Sequence, residues 1–444
     1  MSDYHLKNQL NSNLKGIGDD MNRGTNFFVT TTVSLISNHN RKKTIQKINK
    51  MNDANKRIVN LGRVYPDSIL PEQEATANVC ITGGTQEARN SLILQNCRQL
   101  VANGIPVIII HEGNYHLEYD VKKTFQGKCY CRAVSKSEPF YEPLMRLNDR
   151  EISNLIIEAS KEGDMIETDG LLYLRSISCM ARKKGINPYT RMLSTFPYSQ
   201  AQVVISGLEA KGLINSTEAA TLRNDVATGS GERSKIDKFF SELISQCEIV
   251  AGKGQLARSV SISECIRNKG ILSIDVGTCS KKTQLSFIRA ELEKCVKDGK
   301  AVRVVIDAMT LADSPMMLDF LGKTHAMFWW TLSTPDINAL VNGGKNLTSW
   351  IALIHKTIMF ANSLGTSEAL SKELGDYDFV EVTNTHGGGT DFGNFGLHFG
   401  VTDSLQTSTK REMVVKPEDI STLGDREFFV LDNNTSEIMK GVLA

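Results

Sequence analysis

The sequence lacks a charge imbalance. Fifty-one Lys and Arg stand against 50 Asp and Glu, a formal net charge of +1 over 444 residues, so no global field draws the chain to nucleic acid or to a membrane. It also lacks paired cysteines. Nine are scattered, only Cys129 and Cys131 lie close together, and no C-x-x-C pair or neighbouring His offers zinc a site. The expectation is reduced, mostly buried thiols in a cytosolic protein. Long apolar runs are missing too, and no signal-peptide pattern is visible. Near the start the longest run, Phe27–Ile36, has ten residues with three Thr, against about 20 for a membrane span. The chain is expected to be cytoplasmic and to reach a membrane only through a partner. What is there is a soluble composition, 41% hydrophobic and 23% charged, at a length that implies about two to three domains.

The organising stretch runs from Ala77 to Gly113. Val79–Thr82 reads as a short apolar strand and Gly83-Gly84-Thr85 as a tight turn. Ile93, Cys97, Leu100 and Val101 recur at helical spacing. Asn103-Gly104 supplies the stop, because Gly takes the left-handed cap without strain. Ile105–Ile110 is an apolar run broken only by Pro106, a strand buried on both faces. Strand, turn, helix, strand is one βαβ unit of a parallel sheet.

The turn sits where a phosphate loop would sit. The pattern GxxxxGK[ST] needs glycines so that backbone N–H groups can wrap phosphate, a Lys for the β and γ oxygens, and a hydroxyl for Mg²⁺. Counting from Gly83 places Ala88 at the second Gly, Arg89 at the Lys and Asn90 at the hydroxyl, with Ser91 one residue late. Arg89 keeps a charge but as a planar fork, and Asn90 offers only an amide oxygen to a metal. A bare βα turn without phosphate chemistry reads equally well from this loop alone. Gly83, Gly84, Thr85, Arg89, Asn90 and Ser91 are the candidate phosphate-contacting residues.

Along the chain, Arg41–Arg57 holds seven basic residues (Arg41, Lys42, Lys43, Lys47, Lys50, Lys56 and Arg57) against one acid, Asp53. Ile45, Ile48 and Met51 are spaced by three, so the segment predicts a basic helix. Such a helix is usually a solvated face; contact of Arg41, Lys42, Lys43, Lys47 and Lys50 with a nucleic-acid backbone is the sharper alternative. Residues 146–255 carry helical spacing throughout (Ile152, Leu155, Ile156; Val203, Val204, Leu208) and read as an all-helical insertion. Strands then resume at 270–276, 301–307 and 326–332, with a helix at 283–298 between the first two. Gly387, Gly388, Gly389, Gly393, Gly396 and Gly400 read as a linker or mobile loop, since no strand-then-helix context surrounds them.

In this order the segments resemble the VirD4/TraG/TraD-type coupling ATPases of conjugation and type IV secretion, within the hexameric HerA/FtsK class. The likeness spans roughly residues 75–444. PFYEPL (139–144) looks like the family's box after the third strand, and VVIDAM (304–309) lies at the Walker B strand. MFANSLGTSEALSKELG (359–375) and the close from Arg411 to Asp432 match most specifically. The resemblance implies a RecA-like P-loop α/β core with a mainly parallel sheet over 76–145 and 256–444, an inserted all-α domain over 146–255, and an N-terminal segment, 1–75. It also implies Asp307 as the Mg²⁺-binding acid. The departures fall on the chemistry. Ala308 stands where a Glu would polarise water, Ser333 and Thr334 where a Gln would meet the γ-phosphate, and His111-Glu112 where an Asp is expected. The expectation is a catalytically impaired subunit with no nucleotide or weakly bound ATP and Mg²⁺. It would stand in a homo- or hetero-oligomeric ring with an active ATPase, acting on DNA or a secreted protein at an inner-membrane secretion complex. The alternatives are a weak DNA-translocating ATPase, with Glu112 as its base, and a nucleotide-free DNA-binding or scaffold module.

Overall fold

The computed structural model describes residues 33–34, 38–70, 77–135, 140–196, 200–246, 253–277, 281–307, 314–323, 327–337, 352–393 and 396–444. Its strands in chain order are β1 (Val33–Ser34), β2 (Ile58–Val64), β3 (Val79–Thr82), β4 (Val107–His111) and β5 (Cys131–Val134). Next come β6 (Phe140–Tyr141), β7 (Ser259–Val260), β8 (Ile271–Asp275), β9 (Val302–Asp307) and β10 (Phe328–Thr334). The last five are β11 (Lys356–Met359), β12 (Asp376–Gly393), β13 (Gly396–Met413), β14 (Glu427–Asp432) and β15 (Glu437–Leu443). Two compact units divide the chain, residues 1–57 with 376–414, and residues 58–375 with 415–444.

The larger unit holds a ten-stranded sheet in the order β2-β15-β14-β11-β3-β10-β9-β4-β8-β5. The seven from β11 to β5 run parallel, and β14 joins antiparallel. Parallel strands covered on both faces must be apolar throughout. Val107, Ile108, Ile109 and Ile110 accordingly have no exposure at all, each worth about 1.5–3 kcal/mol of burial. The strand expected over 326–332 is set two residues later, so Ser333 and Thr334 belong to its paired end. Residues 139, 308–313 and 338–351 of the resemblance lie outside the described residues. Between β6 and β7 no strand occurs among the described residues, and helices lie at Asp149–Ser160, Thr168–Lys183, Thr190–Thr195, Ala201–Ala210, Ser216–Thr228 and Arg233–Gln246.

The smaller unit is built on a long hairpin. β12 and β13 pair antiparallel from Asp376↔Met413 to Gly393↔Gly396, and β1 adds two residues beside β13. The glycines read as a mobile loop lie inside these paired strands, with Gly389 opposite Gly400. Glycine hides the period-2 pattern because it has no side chain to alternate. A basic helix does form, α1 (Asn38–Lys56). Its Asn52 brackets one strand residue, Nδ2 donating to Val380 O at 3.0 Å and Oδ1 accepting from Val380 N at 2.9 Å. Such a contact closes an otherwise open sheet edge.

One buried acid ties the helical stretch to the strands. Glu142, 1% exposed, accepts from Thr190 N at 3.2 Å, from Thr190 Oγ1 at 2.7 Å and from Leu144 N at 3.2 Å. Burial pushes its carboxyl up to about 7, against the opposing pull of those donors, from an unfolded value of 4.5. The folded state therefore holds a proton that the unfolded chain releases, so this contribution to stability is complete below pH 4.5 and falls as pH rises to about 7. The loss amounts to about 3 kcal/mol at 1.36 kcal/mol per unit. Urea midpoints of wild type and Glu142→Gln at pH 5 and pH 8 should show the wild type losing more stability than the variant. Equal losses would refute it.

Candidate nucleotide site at the carboxyl edge of the sheet

Register brings the candidate residues to one edge. Thr334 pairs with Thr82, Ser333 with Asp307, and His111 with both Asp307 and Asp275. In open α/β sheets this carboxyl edge is where ligands bind. After β3 the chain turns through Gly83 (φ 79°) and Gly84 (φ 64°), a conformation that glycine adopts freely. Both N–H groups continue the ladder of the neighbouring strands, Gly83 N donating to Thr334 O at 3.0 Å and Gly84 N to Ala361 O at 2.8 Å. A Cβ at Gly83 would stand 2.3 Å from Ala361 O, and one at Gly84 2.6 Å from Phe360 Cβ. The glycines are required by packing as well as by φ.

Thr85 then caps α2 (Gln86–Ala102), its Oγ1 accepting from Ala88 N at 3.3 Å. One turn on, Arg89 folds back under the loop. Its Nη1 donates to Gly83 O at 2.9 Å and to Gly84 O at 2.8 Å, and the residue is 4% exposed. Burial lowers its pKa, opposed by the charges of Asp307 and Glu87. Ser91 Oγ donates into its own helix, to Ala88 O at 2.8 Å.

Asp307 is fully buried at the end of β9. Its Oδ1 accepts from Ser333 Oγ and its Oδ2 from Asn114 Nδ2, both at 2.5 Å. Asn114 is the N-cap of α3 (Tyr115–Phe125) and receives Leu117 N at 3.0 Å. It also exchanges bonds with Asn90, at 2.9 and 3.3 Å. Its own N–H goes to His111 Nδ1 at 3.2 Å. That leaves the imidazole proton on Nε2, 3.0 Å from Ser273 Oγ. Burial holds the imidazole below its ordinary value, outweighing the nearby charges of Asp275, Glu118 and Asp307. Asp275 Oδ1 accepts from Gly113 N at 3.0 Å and Gly277 N at 2.9 Å. Glu112 stands half-buried, its Cγ 3.1 Å from where a Cβ on Gly277 would sit.

The structure thus gathers Gly83, Gly84, Thr85, Arg89, Asn90 and Asp307 around one edge. Lys43, Lys47 and Lys50 are exposed on α1, which also carries Arg41 and Lys42 and belongs to the other unit. Ala308 lies outside the described residues. Sequence reasoning missed Asn114, Ser273 and Asn362, whose Oδ1 accepts from Thr82 Oγ1 at 3.0 Å. For Asn114 a signal existed: Gly-Asn before an amphipathic run is a helix start.

No protein-family model and no curated protein matches the chain. Solved structures do. The bacterial conjugative coupling protein TrwB, in its ΔN70 form, aligns with a TM-score of 0.51 at 16% identity, covering 95% of each chain. TrwB with the ATP analogue ADPNP aligns at 0.52, covering 95% of this chain and 96% of that one, at 16% identity. TrwB with ADP and Mg²⁺ aligns at 0.51, covering 95% of each, again at 16% identity. The fold is that seen in TrwB. It comprises a RecA-like P-loop α/β core with a large, mostly parallel sheet. Among the described residues no helix is long and apolar enough to cross a membrane.

Removing the guanidinium should loosen the core. Arg89→Ala forfeits two charge-assisted bonds and leaves two carbonyls facing a void, at about 1.5–3 kcal/mol for each such bond. An unfolding free energy from urea titration lowered by about 3 kcal/mol is expected, and an unchanged value would show that the contact carries no weight.

Proposed function

We propose that this chain is a catalytically impaired coupling-type subunit of a DNA-transfer or type IV secretion-like machine. It serves in assembly or substrate coupling rather than as a motor. One observation carries the reading: the groups that a bound nucleotide would engage are bonded to one another. The Arg89 guanidinium faces the Gly83 and Gly84 carbonyls. Both glycine N–H groups belong to the sheet ladder, and both Asp307 oxygens are held by neutral donors. A phosphate would have to break these contacts before gaining its own, each charge-assisted bond being worth about 1.5–3 kcal/mol. Nucleotide is therefore absent or weakly held. If it binds, Gly83, Gly84, Thr85, Asn90 and Ser91 are the residues nearest its phosphates and Asp307 is the Mg²⁺ ligand.

The same reading gives the chain its partners. Ring ATPases build each site between neighbours, so a subunit of this fold beside an active ATPase contributes geometry without turnover. Its cargo is DNA or a secreted protein, and the inner-membrane secretion complex is its place of work. TrwB complexes with ADPNP and with ADP and Mg²⁺ support the edge itself as the place to test.

Calorimetry of the wild type with ATP and Mg²⁺ should give no binding in the micromolar range. Restoring the loop with Ala88→Gly, Arg89→Lys and Asn90→Ser should recover binding before hydrolysis. Turnover should need Ala308→Glu in addition, because binding without a group to orient water leaves the chemical barrier in place. DNA-stimulated hydrolysis by the wild type at about 1–100 s⁻¹, an ordinary rate for phosphoryl-transfer enzymes, would overturn the proposal. Glu112 and Arg89 would then be the first residues to substitute.

A further inference from the structure

The helical stretch joins the larger unit at two adjoining roots. The chain enters it after β6 and leaves it at β7, and these short strands pair in parallel, Phe140 with Ser259 and Tyr141 with Val260. Glu142 N extends the pairing by donating to Val260 O at 2.9 Å. Acids hold both roots. Glu142 grips the first residue of the helix Thr190–Thr195, accepting from Thr190 N at 3.2 Å and from Thr190 Oγ1 at 2.7 Å. Glu291, on the helix Lys281–Lys297, spans entry and exit together. Its Oε2 accepts from Tyr141 Oη at 2.8 Å and its Oε1 from Ser263 N at 2.7 Å.

Each of these donors is neutral. Glu142 and Glu291 are 1% and 0% exposed, and among the described residues neither has an ion pair. Cations on the neighbouring elements are engaged elsewhere: Arg289 with Glu158 and Glu293, Lys294 with Glu151 and Asp298, and Arg146 with Glu264. The other titratable groups facing the pair stay uncharged. Burial and the Glu291 charge hold Tyr141 well above its ordinary value and push the Cys295 thiol up to about 12. A buried carboxylate without a cation is costly, and such an acid keeps its proton. Burial raises Glu291 accordingly, and the Glu291 charge adds to the burial that raises Glu142.

We propose that Glu142 and Glu291 form a proton-operated latch at the roots of the helical stretch: protonated, they keep it closed on the core, and loss of the Glu142 proton to solvent opens the roots while the ten-stranded sheet stays folded. Opening breaks the bonds from Thr190 and Leu144 and gives the carboxylate water in their place. The sign follows from the two protonation equilibria. In the closed state the Glu142 carboxyl stands at about 7, against 4.5 when solvated. Opening is therefore least favoured below pH 4.5 and climbs until about pH 7. From pH 5.5 to pH 8 these values imply about 25-fold more opening. The latch works whether or not nucleotide binds at the carboxyl edge.

Native-state hydrogen exchange of the full chain tests it, corrected for intrinsic rates at pH 5.5 and pH 8 and repeated in low urea. The probes are the root amides of Glu142, Leu144, Thr190 and Ser263, compared with Ile108–Ile110 in β4. The root amides should be less protected than β4 and nearly insensitive to urea, the mark of local opening. Their protection should fall about 25-fold between the two pH values. In Glu142→Gln that fall should largely disappear. Root amides that match β4 in protection and urea slope would show opening only by global unfolding, and would overturn the proposal. So would root protection that does not change with pH, or a Glu142→Gln variant with the full wild-type fall. Should the variant not fold, the wild-type comparison of roots with β4 decides the matter by itself.

Discussion

A guanidinium held under a glycine turn is the contact around which the larger unit is arranged. A phosphate loop presents N–H groups to a concavity, so its interior is electropositive. Here two carbonyls point inward to Arg89, and the interior has the opposite polarity, that of a cation cradle with its own resident cation. The turn's N–H groups are correspondingly turned outward into the ladders of β10 and β11. The central strand, the turn and the start of α2 are thereby fixed by contacts internal to the chain. Both bonds come from one nitrogen, Nη1, whose N–H groups are fixed in the guanidinium plane, whereas a Lys ammonium on a flexible stem would meet the two carbonyls with less directional constraint.

Asp307 follows the same logic with the sign reversed. A buried carboxylate is tolerable only when its oxygens are bonded, and Ser333 and Asn114 supply those bonds. Asn114 in turn joins α2 through Asn90, β4 through His111 and α3 through its cap. A neutral His111, kept so by burial, accepts the Asn114 N–H where an imidazolium would repel it.

Much of the larger unit was legible in the sequence. Buried parallel strands announce themselves as continuous apolar runs, and 79–82, 106–110, 271–275 and 303–307 did so. Gly-Gly between strand and helix marked the turn. What the residues could not reveal was direction. Arg89 reads as a phosphate ligand by position, and only three dimensions place its charge under the loop. The long hairpin was illegible for a different reason, since six glycines erase the alternation by which a strand is recognised. The capping duty of Asn114 was signalled by Gly-Asn before an amphipathic run, but its bond to Asp307 on a distant strand leaves no mark in the sequence.

The bonded edge also bears on how such a chain changes over generations. Arg89 secures a turn and Asn114 secures an acid, so each residue has a structural duty at this edge. Residues that share one bonded network do not change independently, because altering one leaves its partner's polar group buried and unmet. Substitutions at this edge are therefore tolerated in compensating sets, whereas single changes are tolerated on surfaces outside the network.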